Sequence, residues 1–231
     1  MIKAVILDLD GTLVTFNLDI KACRTETIDY LVKQGFPREL FSMKETVFDM
    51  LAKTKKYLEE NIEKQKIFFK IEKKVKSIVE KHEMNSAKKT KLFPGISETL
   101  KKLKDANVKL ALCTISGKSA TNFILTRFNL KHFFDLVITR DNVTEVKPHP
   151  EHLKVVLKLL FVLPQDSIMV GDSTKDVVCA NSINVLSVGV TTGISSKDDL
   201  ILSGAKYIIS SANDLPKLVD QLKTMDSTYY S

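Results

Sequence analysis

Short apolar runs alternate with amphipathic segments along most of the chain. The first run, residues 4–7, predicts a buried strand, and further strands are predicted at 108–113, 136–138, 167–170, 185–188 and 207–209. The segments between them predict helices at 96–105, 118–128, 150–160, 174–181, 197–202 and 213–222. Short apolar strands separated by helices are typical of a parallel sheet that is covered on both faces, so we predict an α/β fold.

Residues 19–89 carry a different pattern, that of helices alone. Apolar residues recur there at three- and four-residue spacings among Lys and Glu, as amphipathic helices require; they include Leu51, Leu58, Ile62, Phe69, Val75 and Ile78. Turn residues predict two breaks, one at Gly35 and Pro37 and one at Asn85 and Ser86. The sequence therefore predicts a helical insertion between the first two strands.

The composition is ordinary for a globular protein, but the charge is unevenly distributed. Of the 231 residues 44% are hydrophobic and 27% charged, and the net charge is +7. Between Thr15 and Lys91, 18 Lys and Arg accompany 12 Asp and Glu. Because the two signs are interspersed and no nucleic-acid-binding motif accompanies them, we predict solvated helix faces and no nucleic-acid partner.

The remaining totals limit the compartment and the partners. The three Cys are widely spaced and form no CxxC pair, which predicts reduced, partly buried thiols and a cytoplasmic location. No apolar run approaches the length of a membrane span, so no membrane partner is expected. We expect a small-molecule substrate and a monomer or homodimer.

Polar residues follow three of the predicted strands, at the edge where parallel sheets place their functional sites. One pair follows the first strand, a polar loop follows the second, and two acids follow the fourth. A Lys lies in the loop beyond the third strand. The residues expected at this edge are Asp8, Asp10, Thr114, Ile115, Ser116, Lys147, Asp172 and Asp176.

This set of residue types suits phosphoryl transfer. Clustered carboxylates repel one another unless a cation neutralises them, and hard oxygen ligands favour Mg²⁺. An Asp can attack phosphorus and form an aspartyl-phosphate, while a second carboxylate moves the proton; Asp8 and Asp10 fit these roles. The hydroxyls of Thr114 and Ser116 can donate to phosphate, and Lys147 can supply positive charge.

Several of these residues also have an ordinary structural interpretation. Lys147 could be a solvated loop residue, which is the usual fate of a Lys. Asp172 could be a helix cap, and Asp176 could complement a helix dipole.

Four segments in order resemble the motifs of the haloacid dehalogenase superfamily of hydrolases. They are DLDGT at 8–12, the strand end ALCT at 111–114, KPHPE at 147–151 and GDSTKD at 171–176. The resemblance implies a Rossmann-like three-layer core at 1–15 and 91–231, with an inserted all-helical cap domain at 16–90. The overall pattern is similar to the phosphoglycolate phosphatase-like branch, which has a small helical cap.

The resemblance also implies a role for each matching residue. Asp8 is the expected nucleophile and a metal ligand, and Asp10 is the expected acid/base with its backbone carbonyl on the metal. The 114–116 segment and Lys147 are expected to bind phosphate, and Lys147 is also expected to hold Asp8 in position. The remaining expected Mg²⁺ ligands are Asp172 and Asp176, the latter directly or through water. Since the dehalogenase branch typically lacks the second Asp, Asp10 implies a phosphatase or a phosphomutase.

We therefore expect a Mg²⁺-dependent phosphatase for small phosphate monoesters, with phosphoglycolate-like, sugar and nucleotide phosphates all open as substrates. A phosphomutase on the same scaffold is the alternative, and a non-catalytic binding protein is a third interpretation. Phe16, at the predicted hinge, and Arg24, in the first cap helix, are candidates for substrate specificity. For Arg24 the sequence favours a surface role over a specificity role.

Overall fold

The computed structural model describes residues 2–58 and 62–228, without the side chains of 62–66 and 225–228. The chain divides into two compact units. One consists of the residues up to Phe16 together with those from Thr90 onward, and the other is Asn17–Lys89. None of the described helices is both long enough and apolar enough to span a membrane.

The first unit contains a six-stranded sheet. Its strands are β1 (Ala4–Leu7), β2 (Lys109–Cys113), β3 (Leu136–Ile138), β4 (Ser167–Gly171), β5 (Leu186–Val190) and β6 (Tyr207–Ile209). The order across the sheet is β3-β2-β1-β4-β5-β6, and every neighbouring pair is parallel. The α/β fold with a parallel sheet, predicted from the alternating pattern, is confirmed.

The helices belong to both units. Those of the second unit are α1 (Ile20–Lys33), α2 (Val47–Leu58) and α3 (Ile62–Lys89). Those of the first unit are α4 (Ile96–Asp105), α5 (Lys118–Arg127), α6 (Glu151–Leu160), α7 (Thr174–Asn181), α8 (Lys197–Leu202) and α9 (Leu215–Thr228). Among its described residues, the second unit has no strand.

Helix α3 corrects one prediction, since it runs unbroken through Asn85 and Ser86. Ser86 and the following Ala87 are buried. Asn and Ser weaken a helix only slightly, so burial of this part of α3 outweighs their preference for turns. A second correction concerns Phe69, which is 69% exposed rather than in the core.

The other apolar residues singled out in this segment are placed as expected. Leu51, Leu58, Val75 and Ile78 are buried. The side chain of Ile62 lies outside the described residues. The core of the unit also contains Cys23, and all three Cys of the chain are buried and free of disulfides.

Strand β1 lies at the centre of the sheet and is buried on both faces. Ala4 and Ile6 pack in one apolar cluster with Leu153 of α6 and Cys179 of α7. Val5 and Leu7 point to the opposite face, because side chains alternate along a strand, and they are equally buried. Helices therefore cover both faces. This packing fixes the position of β1 and, with it, the position of the residues that follow its last residue.

Candidate active site

The register of the sheet brings the ends of its three central strands side by side. Leu7, the last residue of β1, pairs with Leu112 of β2 and with Val170 of β4. The backbone N–H of Asp8 continues the ladder by donating to the Val170 carbonyl at 2.9 Å. The residues that follow β1, β2 and β4 therefore emerge at one edge, as predicted for a parallel sheet.

A cluster of three carboxylates forms at this edge. Asp8, Asp172 and Asp176 are all buried, and one carboxylate oxygen from each lies within 4.8 Å of the other two. Three buried carboxylates at this spacing repel one another, and each offers a hard oxygen ligand to the space between them. The donor set thus fits a hard divalent cation such as Mg²⁺, which accepts a few carboxylates and completes its coordination with water and phosphate.

Lys147 is held inside the same cluster. It is only 3% exposed, and its Nζ donates to Asp8 Oδ1 at 2.8 Å, to Asp176 Oδ1 at 2.6 Å and to the Cys113 carbonyl at 2.6 Å. An ammonium has three protons, so these bonds use all of them. The interpretation of Lys147 as a solvated loop residue is wrong.

Burial and charge together set the protonation of the cluster. Burial raises the pKa of the Asp8 carboxyl well above its ordinary value; Lys147 opposes this shift, and Asp176 and Asp172 add to it. Burial also raises the pKa of Asp172 to about 6, although the N–H of Ile194 stabilises its ionised form. Burial alone would lower the pKa of Lys147, but the carboxylates of Asp176 and Asp8 outweigh it and raise that pKa well above its ordinary value.

The two acids after β4 differ in their local roles. Helix α7 is capped by Ser173 and not by Asp172, so the cap interpretation of Asp172 is wrong. Asp176 does contribute to the helix start, since its Oδ2 accepts the Ser173 N–H at 3.1 Å in a capping box. Its Oδ1 is bound to Lys147 at the same time, so one carboxylate serves both the helix and the cluster.

Asp10 is held apart from the other acids. Its Oδ2 accepts the Ser116 hydroxyl at 2.7 Å. Its carboxylate is not a member of the three-acid group found among residues 2–58 and 62–228, which leaves its backbone carbonyl as the ligand expected from the resemblance. The carboxylate is partly exposed, as a group that exchanges protons with a substrate must be.

The predicted phosphate segment after β2 has a defined set of contacts. Thr114 is buried and its Oγ1 accepts the backbone N–H of Ser116 at 3.1 Å, so its own hydroxyl proton remains to be donated elsewhere. Ile115 is exposed, and its carbonyl accepts from Arg140 at 3.3 Å. Ser116 gives its hydroxyl proton to Asp10. Phosphate binding by this segment stays a prediction.

The two candidates for substrate specificity belong to different units of the chain. Phe16 is partly exposed at the end of the first unit. Arg24 is partly buried in the second unit, where its Nη1 donates to the Met43 carbonyl at 2.8 Å. That bond uses one of the five guanidinium donors and ties Met43, in the segment between α1 and α2, to helix α1.

His152, which no sequence pattern singled out, supports the Lys147 loop from α6. It is fully buried, and its Nδ1 accepts the backbone N–H of Lys147 at 3.4 Å. That bond places the ring proton on Nε2, which has no hydrogen-bond partner among the described atoms. Burial, with the nearby Lys147 charge, lowers the pKa of His152 to about 4.

Replacing His152 with Gln is expected to change the pH dependence of stability. The pKa of His152 falls from 6.5 to about 4 on folding, so between these pH values the unfolded chain binds more protons. The free energy of unfolding should therefore fall by about 3 kcal/mol, through this residue, as the pH drops from 6.5 to 4. Urea denaturation in EDTA over this range should show that loss in the native chain and not in His152→Gln.

The comparison between variants is needed because Asp8 and Asp172 act in the opposite sense. Their pKa values are raised on folding, so their contribution falls as the pH rises, equally in both proteins. His149→Gln, at an exposed position in the same loop, is the matched control and should keep the native slope. The same slope in His152→Gln as in the native chain would show that His152 is not buried in neutral form.

With this geometry in view, comparison with known families is decisive for the class. The sequence model of the haloacid dehalogenase-like hydrolases matches residues 5–190, a span that contains the whole cluster. The chain belongs to this family of hydrolases, and the resemblance inferred from its four motifs is confirmed.

Named relatives are similar over nearly their whole length. Pyrophosphatase PpaX of Bacillus mycoides is 26% identical over 221 residues, covering 96% of this chain and 98% of its own. A phosphoglycolate phosphatase of Colwellia psychrerythraea is 26% identical over 222 residues, covering 92% and 95%. The solved structure of an HAD phosphatase from Thermococcus onnurineus has a TM-score of 0.61 and 26% identity, covering 94% and 98%. The predicted enzyme class, a phosphatase of this family, is confirmed.

Proposed function

We propose that this chain is a Mg²⁺-dependent phosphatase that hydrolyses small phosphate monoesters through an aspartyl-phosphate on Asp8. The observation that carries the proposal is the setting of Asp8. Its carboxylate is buried at a strand end, fixed by Lys147 at 2.8 Å and grouped with two further acids. A purely structural carboxylate would not need this concentration of like charge.

Asp8 is the proposed nucleophile. Lys147 holds its Oδ1, which fixes the plane of the carboxylate and favours the ionised form that attacks phosphorus. Asp8, Asp172, Asp176 and the Asp10 carbonyl would hold Mg²⁺, which when bound supplies positive charge against the carboxylates and the phosphate oxygens. In the first stage an Asp8 oxygen bonds to phosphorus and the bond from phosphorus to the ester oxygen breaks.

Asp10 is the proposed proton carrier. Ser116 orients its carboxyl group by donating a hydrogen bond to Oδ2. In the first stage Asp10 gives its proton to the departing alkoxide. In the second stage Asp10 takes a proton from water, whose oxygen attacks the aspartyl-phosphate; inorganic phosphate leaves and the Asp8 carboxylate is restored.

Thr114 is the strongest of the proposed phosphate contacts. Its hydroxyl proton is not needed by Ser116, whose N–H it accepts. Thr114 lies two residues after Leu112, whose partner across the sheet is Leu7, the residue before Asp8. Ile115 is proposed to contribute its backbone N–H. Ser116 and Lys147 already donate to carboxylates, so contact with phosphate would require each to exchange an acceptor. We therefore assign Lys147 chiefly to holding Asp8 and Asp176.

The Asn17–Lys89 unit is proposed to be the cap domain that supplies substrate contacts, with Phe16 and Arg24 as candidates. A cap excludes water from the reacting phosphate and adds specificity. We also propose a cytoplasmic location, a monomer or homodimer, and no nucleic-acid or membrane partner.

A substrate panel tests the proposal directly. Purified protein with Mg²⁺ is expected to hydrolyse p-nitrophenyl phosphate and at least one of phosphoglycolate, pyrophosphate, a sugar phosphate and a nucleotide monophosphate. Phosphoglycolate and pyrophosphate are included because relatives carry those names. The release of phosphate should stop with excess EDTA and resume with added Mg²⁺, because three buried acids repel one another without a cation.

Two results would contradict the proposal. Full activity in EDTA would remove the role of the metal, and no turnover of any ester with Mg²⁺ or Mn²⁺ would favour a binding protein. Hexose 1-phosphates belong in the same panel because a phosphomutase would convert them to an isomer instead of releasing phosphate.

A further inference from the structure

The loop after β5, residues 192–195, contacts two parts of the proposed metal site. We call it the β5 loop. The backbone N–H of Ile194 donates to Asp172 Oδ2 at 2.7 Å, and the N–H of Ser195 donates to the Asp172 carbonyl at 3.2 Å. The Ser195 hydroxyl also accepts the Thr174 N–H at 3.2 Å. The loop thus follows the chain from Asp172 into the start of α7.

The backbones of two glycines lie close against the Asp172 carboxylate. Gly11 belongs to the turn after Asp10, and Gly193 to the β5 loop. A methyl group added to either would overlap Asp172 Oδ2, so no other residue leaves room for the carboxylate where it lies. Gly11 also has a φ of +80°, whereas Gly193 lies outside the left-handed region. We call this pair of backbone walls the glycine bracket.

One side chain ties the two walls together. The hydroxyl of Thr192 donates to the Gly11 carbonyl at 2.6 Å, a bond between residues 181 positions apart. Thr192 precedes Gly193, one wall of the bracket, and its hydrogen-bond acceptor is Gly11, the other wall. The bond therefore fixes the separation between the walls, and with it the space in which the Asp172 carboxylate can turn.

We propose that Thr192 is a positioning residue for the metal site, acting through the glycine bracket on Asp172. The Ile194 N–H donates to Oδ2, which both walls of the bracket also confine, so Oδ1 would be the oxygen left to ligate a cation. A ligand held in one orientation before the cation arrives loses less freedom on binding, which is why partners behind metal ligands strengthen affinity. This inference rests on the proposed function, since it assumes that Asp172 is a metal ligand.

The test is the affinity of the full-length protein for Mn²⁺, measured by isothermal titration calorimetry without substrate. Thr192→Val keeps the side-chain size but removes the donor, and it is expected to weaken Mn²⁺ binding by about 10-fold or more. Thr192→Ser keeps the hydroxyl and should bind within about twofold of the native chain. Thr191→Val is the matched control, because the Thr191 hydroxyl donates outside the site to the Ser210 carbonyl at 3.4 Å.

The outcomes separate this inference from the proposed function. Equal affinity in Thr192→Val and Thr191→Val would overturn the role of Thr192 and leave the metal site standing. Native affinity no better than that of Asp172→Asn would overturn the metal site itself.

Gly193→Ala provides a second measurement should Thr192→Val not fold. The φ of Gly193 is outside the left-handed region, and the added methyl overlaps the Asp172 side chain, which must move to make room. Mn²⁺ binding should weaken by at least as much as in Thr192→Val, and unchanged binding would overturn the glycine bracket.

Discussion

Replacing Asp8 with Asn is expected to lower kcat for p-nitrophenyl phosphate by about 10⁴-fold or more, because an amide does not attack phosphorus as a carboxylate does. The fold should not suffer. Burial raises the pKa of Asp8 and so penalises its charged form, and a neutral amide of the same shape removes that penalty together with the repulsion from Asp172 and Asp176. Thermal denaturation in EDTA should show a Tm equal to or above the native value while activity is lost.

Asp105→Asn is the matched control for this substitution. Asp105 is exposed and pairs with Lys101 at 2.6 Å on the surface of α4, so its loss should leave both activity and stability nearly unchanged. Substantial turnover in Asp8→Asn would contradict an aspartyl-phosphate on Asp8.

Asp10→Asn distinguishes the nucleophile from the proton carrier. p-Nitrophenolate leaves as a stable anion and needs little help from an acid, so the first stage should proceed in this variant. The second stage needs a base for water and should slow by about 10²–10⁴-fold. The phosphorylated protein should therefore accumulate and be visible by intact-protein mass spectrometry. Accumulation in Asp8→Asn as well would place the phosphoryl group on another residue.

Replacing Lys147 with Met is expected to have the largest effect on stability. The substitution keeps most of the apolar stem but removes a charge that is bonded to two buried carboxylates and a backbone carbonyl. Removing one partner of a buried ion pair costs about 3–5 kcal/mol, because the remaining charges are left without compensation. Urea denaturation at neutral pH in EDTA should show that loss, and turnover should fall with it as Asp8 loses its fixed orientation.

Lys3→Met is the matched control for Lys147→Met. Lys3 bonds to Asp166 at 2.7 Å, but its side chain is 60% exposed, so its loss should cost no more than about 1 kcal/mol. Adding Asp8→Asn to Lys147→Met should recover part of the lost stability because it removes one of the unpaired carboxylates. Equal costs for the two Lys substitutions would show that the buried pairing contributes little.

Much of the sheet could be predicted because its signals are local. The apolar run of β1 and the acids that end it are neighbours in sequence, and the helix starts after 95 and 173 follow recognisable turns. The break predicted at Asn85 and Ser86 was wrong because local preference there is weaker than the packing of α3.

The supporting contacts of the site could not be predicted, since they depend on distant partners. His152 directly follows a recognisable motif, but its importance comes from the Lys147 N–H that it accepts. Thr192 reads as an ordinary loop residue until the fold places it against Gly11. The sequence also could not show that Ser116 gives its proton to Asp10, which changes the case for phosphate binding by that hydroxyl.

The double use of Asp176 links the first turn of a helix to the formation of the site. One of its oxygens accepts the Ser173 N–H that starts α7, and the other accepts from Lys147. Helix initiation fixes several dihedral angles at once for little immediate return, so a helix depends on its first stabilising bonds. When α7 frays at its start, Lys147 also loses an acceptor, and the ordering of this helix and the ordering of the three-acid cluster become a single cooperative event.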